Sequence, residues 1–132
     1  MTSQVATRIK PQVFLTYALA DREFADEVTR ELALSGLNCV SMNEFSADGE
    51  YTEAIRKAVR QSAAVVAILS GVSRRHDVPA NVLFEIGAAI GARKPIYVVV
   101  DDPSIRLPFG APDMHVLPIT RIDEIARHLS ID

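Results

Sequence analysis

Apolar residues along this chain follow two rhythms. Dense runs, rich in β-branched and aromatic residues, occupy QVFLTY (Gln12 to Tyr17), Leu37 to Met42, Ala63 to Leu69, Ile96 to Val100, and a short stretch around His115 to Ile119. Between them, apolar side chains recur every three or four residues: Phe24, Ala25, Val28 and Leu32; then Tyr51, Ile55, Ala58 and Val59, with Ser62 on the same side; then Val82, Leu83, Ile86, Ala89 and Ile90; then Ile122, Ile125, Ala126 and Leu129. The first rhythm predicts strands and the second amphipathic helices. The runs at 63–69 and 96–100 have no polar interruption, as expected of strands covered on both faces at the centre of a parallel sheet.

Local signals punctuate the pattern. Asp21 is a good N-cap for the first helix and Gly36 stands where that helix should end. Pro79 falls near the first turn of the third helix, where a missing N–H costs no hydrogen bond. Thr120 with Asp123 resembles a capping box for the last helix. Residues 1–11 read as a loose polar tail and residues 12–132 as one domain. Strands alternating with helices predict a doubly wound, flavodoxin-like α/β domain whose parallel strands take the order 2-1-3-4-5. Ligands of such sheets bind beyond the carboxyl ends of the strands, where the order reverses. That rule places Tyr17 and Ala18, the loop from Asn43 to Tyr51, Ser70 and Gly71, and the helix carrying Glu85 around one crevice.

Glu85 stands out within NVLFEIGAAIGARKPIYVVV, residues 81–100. It is the one carboxylate in an apolar helix, with Asn81, Ala88 and Ala92 on its face and no basic residue three or four positions away. Its place in roughly the second turn gives its ionised form modest support from the positive helix end. Gly87 and Gly91 in the same helix suggest close packing against the sheet, since each lowers helix stability by roughly 1 kcal/mol relative to alanine.

Composition removes several classes of function. The chain has 132 residues, 48% hydrophobic and 23% charged, with a net charge of −3. Such a balance predicts a globular protein and makes nucleic acid and anionic membranes poor partners. Cys39 is the single cysteine, so no disulfide framework or CxxC pair exists. The first residues lack the apolar core of a signal peptide and no segment reaches membrane-spanning length, so a reducing cytoplasm is expected. No phosphate loop, GxSxG or dinucleotide fingerprint appears in its proper context. His76, His115 and His128 lack metal-ligand spacing. Asp101 and Asp102 read as a turn rather than a magnesium site, and Lys94, Arg74 and Arg75 as solvated cations.

Four blocks in this order resemble the Toll/interleukin-1 receptor (TIR) domain, particularly its bacterial branch: VFLTYALAD at 13–21, DGEYTEAIRKAVRQS at 48–62, VVAILS at 65–70, and the Glu85 helix with its following strand. The resemblance runs from about Gln12 to Asp102. Many bacterial and plant members cleave NAD at the nicotinamide–ribose bond and depend on a glutamate in the helix after the third strand, which Glu85 matches. By the same resemblance Tyr17 closes the first strand beside the nicotinamide, and Gly49 and Tyr51 belong to a flexible loop over the substrate. Asn81 stands where many members have tryptophan, in an NVxFE version similar to that of some antiphage TIR proteins. Met42 or Asn43 replaces the usual aspartate after strand two, and the loop lacks the proline of signalling adaptors.

The resemblance thus implies an NAD glycohydrolase in bacterial defence or signalling, with NAD as substrate, no further cofactor and no metal. Glu85 would stabilise an oxocarbenium-like ribose as nicotinamide departs. A dry pocket beside two tyrosines would favour some cyclic ADP-ribose alongside the linear product. Activity is expected to need self-association or a partner protein that orders the loop from Asn43 to Tyr51. Two other readings stay open. EIGAAIGARKP also resembles nucleoside deoxyribosyltransferases, whose glutamate is a nucleophile at the sugar carbon. A non-catalytic interaction module is the third.

Overall fold

A computed structural model describes residues 10–41, 49–71, 78–105, 107, 110 and 113–129. Among them are strands β1 (Gln12–Thr16), β2 (Asn38–Ser41), β3 (Ala64–Leu69), β4 (Ile96–Val100) and β5 (Met114–Pro118). The α-helices are α1 (Arg22–Leu34), α2 (Gly49–Gln61), α3 (Ala80–Gly91) and α4 (Asp123–Leu129). All neighbouring strands pair in parallel, in the order β2-β1-β3-β4-β5. This is the doubly wound, flavodoxin-like order that the alternation of patterns predicts. The tail at 1–9 and most of the 43–51 loop fall outside the described residues, as do Arg74, Arg75 and His76.

Two apolar layers sandwich the sheet. On one face Ala25, Val28 and Leu32 of α1 and Ile122, Ile125 and Ala126 at α4 cover Val13, Leu15, Val66 and Ile68. On the other, Ile55 and Val59 of α2 and Val82, Ile86 and Ala89 of α3 cover Phe14, Val65, Ala67 and Leu69. Every residue of β3 and β4 is buried, which is why their sequences are continuous apolar runs. β2 is an edge strand whose residues are exposed or half-buried; it begins one residue after the predicted Leu37, and Met42 lies outside the described residues.

Helix ends explain the remaining boundaries. α1 closes in a Schellman motif: Gly36 at φ +93° gives its N–H to Ala33, and Leu37 gives its own to Leu32. α3 closes the same way, with Arg93 taking the left-handed position at φ +58° and Lys94 bonding back to Ala89. Asp21 takes the N-cap position of α1 but does not cap it through its side chain. It ends a 3-10 turn (Leu19–Asp21), is 1% exposed, and makes no side-chain capping bond because its carboxylate is engaged by Ser70. Thr120 likewise lies in a 3-10 turn (Ile119–Arg121) that leads into α4.

Gly87 and Gly91 correct another expectation. Both are exposed on α3, and a Cβ at either would meet nothing within 4 Å. They line an open groove of about 630 Å³ between α2 and α3, flanked by Arg56, Arg60 and Phe84, rather than packing against the sheet. Two glycines of this chain should therefore respond to alanine with opposite sign. Gly36→Ala forces a Cβ into a left-handed backbone and should lower stability by about 1 kcal/mol. Gly87→Ala removes a helix-breaking entropy at no steric cost and should raise it by roughly 0.5–1 kcal/mol. Urea denaturation of both variants measures this, and a destabilised Gly87→Ala would show that the α3 surface is tighter than described.

Candidate active site at the carboxyl edge of the sheet

Glu85 is 2% exposed although it belongs to a helix that faces solvent on its other side. The 3.6-residue period turns Val82, Ile86 and Ala89 onto the sheet and carries Glu85 toward the end of β1. There Tyr51, in the first turn of α2, donates its Oη–H to Glu85 Oε2 at 2.6 Å. The Tyr51 ring stacks on Phe84 with centroids 6.3 Å apart. Thr16 completes the constellation. As the last residue of β1 it shares the strand face of Phe14, toward α2 and α3, and it is 1% exposed.

Burial is the largest influence on Glu85 and raises its pKa above the usual carboxylate range; Thr16 and Tyr51 pull in the opposite direction. Tyr51 is in turn pushed upward, first by burial and then by its bond to Glu85 and the charge there. Although Thr16 lies near enough to influence Glu85, its Oγ1 reaches hydrogen-bond geometry with no partner among the described residues. A buried hydroxyl left so costs about 1–3 kcal/mol.

The other expected residues are divided between two places. Asn81 Nδ2 donates to the main-chain oxygen of Tyr17 at 3.2 Å, clipping the start of α3 to the exit of β1. Tyr17 is not beside Glu85: its ring packs on the opposite core, with α1 and α4, because successive residues of a strand face opposite ways. Ala18 accepts the Asp21 N–H through its main-chain oxygen at 2.9 Å. Ser70 Oγ donates to Asp21 Oδ1 in a buried short bond that ties the exits of β1 and β3 together. Gly49 and Tyr51 open helix α2 and are not part of a loop. Two members of the site were not expected from sequence: Thr16, whose hydroxyl stands out in an apolar strand, and Asp21, which reads as a helix cap.

Polar residues elsewhere have structural roles. Asp101 accepts the Gly71 N–H at 2.7 Å, and Asp102 accepts from the main chain and hydroxyl of Ser104, so the paired acids shape a turn. Tyr97 bonds His128 at 3.1 Å and stacks on His115. Cys39 is half-buried, and burial raises its pKa. Among the described residues no three His, Cys, Asp or Glu side chains are grouped to hold a metal ion, and no helix is long and apolar enough to cross a membrane.

Known proteins fit this architecture. The TIR domain family model matches residues 13–128, and the chain belongs to that family. No curated protein matches the sequence significantly. Among solved structures, a CMP N-glycosidase of Clostridium botulinum, BcmB, superposes with a TM-score of 0.59 at 21% identity, over 89% of this chain and 97% of that one. A 2-deoxyribosyltransferase of Bacillus psychrosaccharolyticus superposes with a TM-score of 0.61 at 12% identity, over 92% of each chain. These likenesses establish the fold.

The raised pKa of Glu85 has a consequence for stability. A carboxyl that holds its proton more tightly in the folded than in the unfolded state adds stability below the ordinary glutamate range, and that contribution is lost as pH rises through the raised value. Glu85→Gln, which cannot ionise, should match the wild type in acid and become progressively more stable than it as pH rises through that window. Urea denaturation at successive pH values tests this. Parallel curves for the two proteins would mean that Glu85 does not titrate abnormally.

Proposed function

We propose that this chain cleaves the N-glycosidic bond between nicotinamide and ribose in NAD, with Glu85 as the catalytic carboxylate. One observation carries the reading: the Glu85 carboxylate is buried at the carboxyl edge of the sheet where the strand order reverses and is held by a tyrosine hydroxyl. Membership of the TIR family supports it. Loss of nicotinamide breaks the C1′–N bond with its electron pair passing to the ring, which leaves neutral and strands positive charge on the ribose. A fixed carboxylate about 4 Å away stabilises that charge by roughly 4 kcal/mol in a partly dehydrated pocket, against about 1 kcal/mol in water. Water then adds to C1′ and gives up a proton, yielding ADP-ribose; attack by the adenine of the same molecule yields the cyclic product instead.

A neighbouring reading shares the same atom. The fold neighbours are named for N-glycosidic chemistry on CMP and on deoxyribonucleosides. They support the broader class of N-glycosidic enzyme, in which Glu85 would attack the sugar carbon directly and nucleotides or nucleosides would be the substrates. Incubation with NAD, with CMP, or with a deoxynucleoside plus a free base separates the readings by what is released or exchanged.

On the NAD reading, Glu85→Ala should abolish nicotinamide release while the fold is retained. Glu85→Gln keeps shape and hydrogen bonding but removes the charge, so its turnover should also fall by at least about 100-fold. Chromatography of the wild-type products should show cyclic as well as linear ADP-ribose. A folded Glu85→Ala with most of its turnover would remove the carboxylate from the mechanism.

Assembly is part of the same proposal. Glu85 is closed off by Tyr51 at the start of α2, so self-association or a partner protein that repositions that helix end would open it. Specific activity should then rise with protein concentration. Constant activity per molecule over about a hundredfold dilution would show that the monomer is already competent.

A further inference from the structure

The hydroxyl of Thr16 is the buried polar group with no assigned task. β1, β3 and β4 bury Val13, Phe14, Leu15, residues 64–69 and 96–100, and apart from Tyr97 every one of those side chains is apolar. Thr16 breaks the pattern at the end of β1, on the face toward the helix that carries Glu85. Valine would fill the same volume with equal β-preference and would leave no unpaired oxygen. Packing alone therefore does not account for a hydroxyl here, and its proximity to the carboxylate supplies a reason.

We infer that Thr16 is a specificity-determining residue that reads the sugar hydroxyl next to the bond being broken. This rests on the reading that Glu85 acts at an N-glycosidic carbon. The anomeric carbon that the carboxylate faces is one bond from the carbon bearing the 2′-hydroxyl, which brings that hydroxyl within reach of a group beside Glu85 on the β1 side of the pocket. Thr16 Oγ1 has one proton to give and two lone pairs. With a ribosyl substrate in place it turns its proton toward the Glu85 carboxylate and accepts the sugar O–H. The sugar supplies a partner to a buried oxygen that has none among the described residues. A 2′-deoxy sugar leaves its lone pairs without a donor, and sites built to bond a substrate hydroxyl reject the analogue lacking it strongly. The substrate class is thus ribosyl rather than 2′-deoxyribosyl N-glycosides, for NAD and for nucleotides alike.

The test compares NAD with its analogue lacking the 2′-hydroxyl on the nicotinamide ribose, using wild type, Thr16→Val, Thr16→Ser and Thr16→Ala. Wild type should prefer the ribosyl substrate in kcat/KM. Thr16→Val should lose at least about tenfold on the ribosyl substrate and little on the deoxy one, bringing the ratio near unity, and Thr16→Ser should restore the preference. Thr16→Ala gives the same comparison if valine disturbs folding, as judged by circular dichroism. A merely structural role would lower both substrates together; an unchanged ratio in Thr16→Val or Thr16→Ala, beside an inactive Glu85→Gln, overturns the inference and leaves the catalytic reading intact. If wild type cleaves neither compound, the catalytic reading fails. Calorimetric binding of the same two compounds then decides: a preference for the ribosyl form that Thr16→Val or Thr16→Ala abolishes upholds the role of Thr16, and equal binding or none ends it.

Discussion

Placing a carboxylate in a protein interior costs several kcal/mol unless hydrogen bonds take over from water, and this fold is arranged around one that is buried. Glu85 is reached from three elements: β1 brings Thr16, α2 brings Tyr51, and α3 carries the glutamate itself. They meet because the strand order reverses between β1 and β3. Right-handed crossovers then put α1 on one face and α2 and α3 on the other, with their N-termini at the carboxyl edge. The Asn81 bond to the Tyr17 carbonyl fixes the depth of α3 against that edge. The buried Asp21–Ser70 bond holds the exits of β1 and β3 together on the opposite side.

The architecture was legible wherever burial is complete. β3 and β4 have no solvent face, so their sequences cannot be mistaken for half-exposed strands, and two such strands with helices between them leave few topologies. Gly36 was legible because its left-handed backbone makes glycine the least strained choice. Legibility failed where one residue type serves two purposes. Asp21 is a good capping residue, yet its carboxylate turns inward to a serine 49 positions away, a partner that local spacing cannot reveal. Gly87 and Gly91 cost helix stability either way, and sequence does not say whether the room they leave is filled by the sheet or open to solvent.

The site was half legible for a related reason. Glu85 is conspicuous because nothing nearby in sequence could pair with it, and Tyr51, 34 positions away, does so. Tyr17 and Thr16 differ in which core they face. A tyrosine at the end of a strand attracts notice and a threonine does not, yet the alternation of a strand lets only one of two successive residues face a given helix. Phe14 lies under α2 and α3, so Thr16 does as well and Tyr17 does not. Strand parity combined with crossover handedness would have reached that assignment from sequence.

Closure of the site sets its chemistry as much as its residues do. With Tyr51 on one oxygen and almost no exposure, Glu85 has its pKa raised by burial, against the pull of Tyr51. On the proposed reading, a sugar that enters would offer a hydroxyl to the oxygen that Tyr51 releases, so the number of hydrogen bonds would be kept. The sign of the electrostatics depends on the base the sugar carries. A cationic nicotinamide favours the ionised carboxylate and offsets its burial, whereas a neutral base leaves that burden in place. On the proposed reading, the same desolvation that makes Glu85 a reluctant acid at rest makes a cationic leaving group the one best able to recruit it.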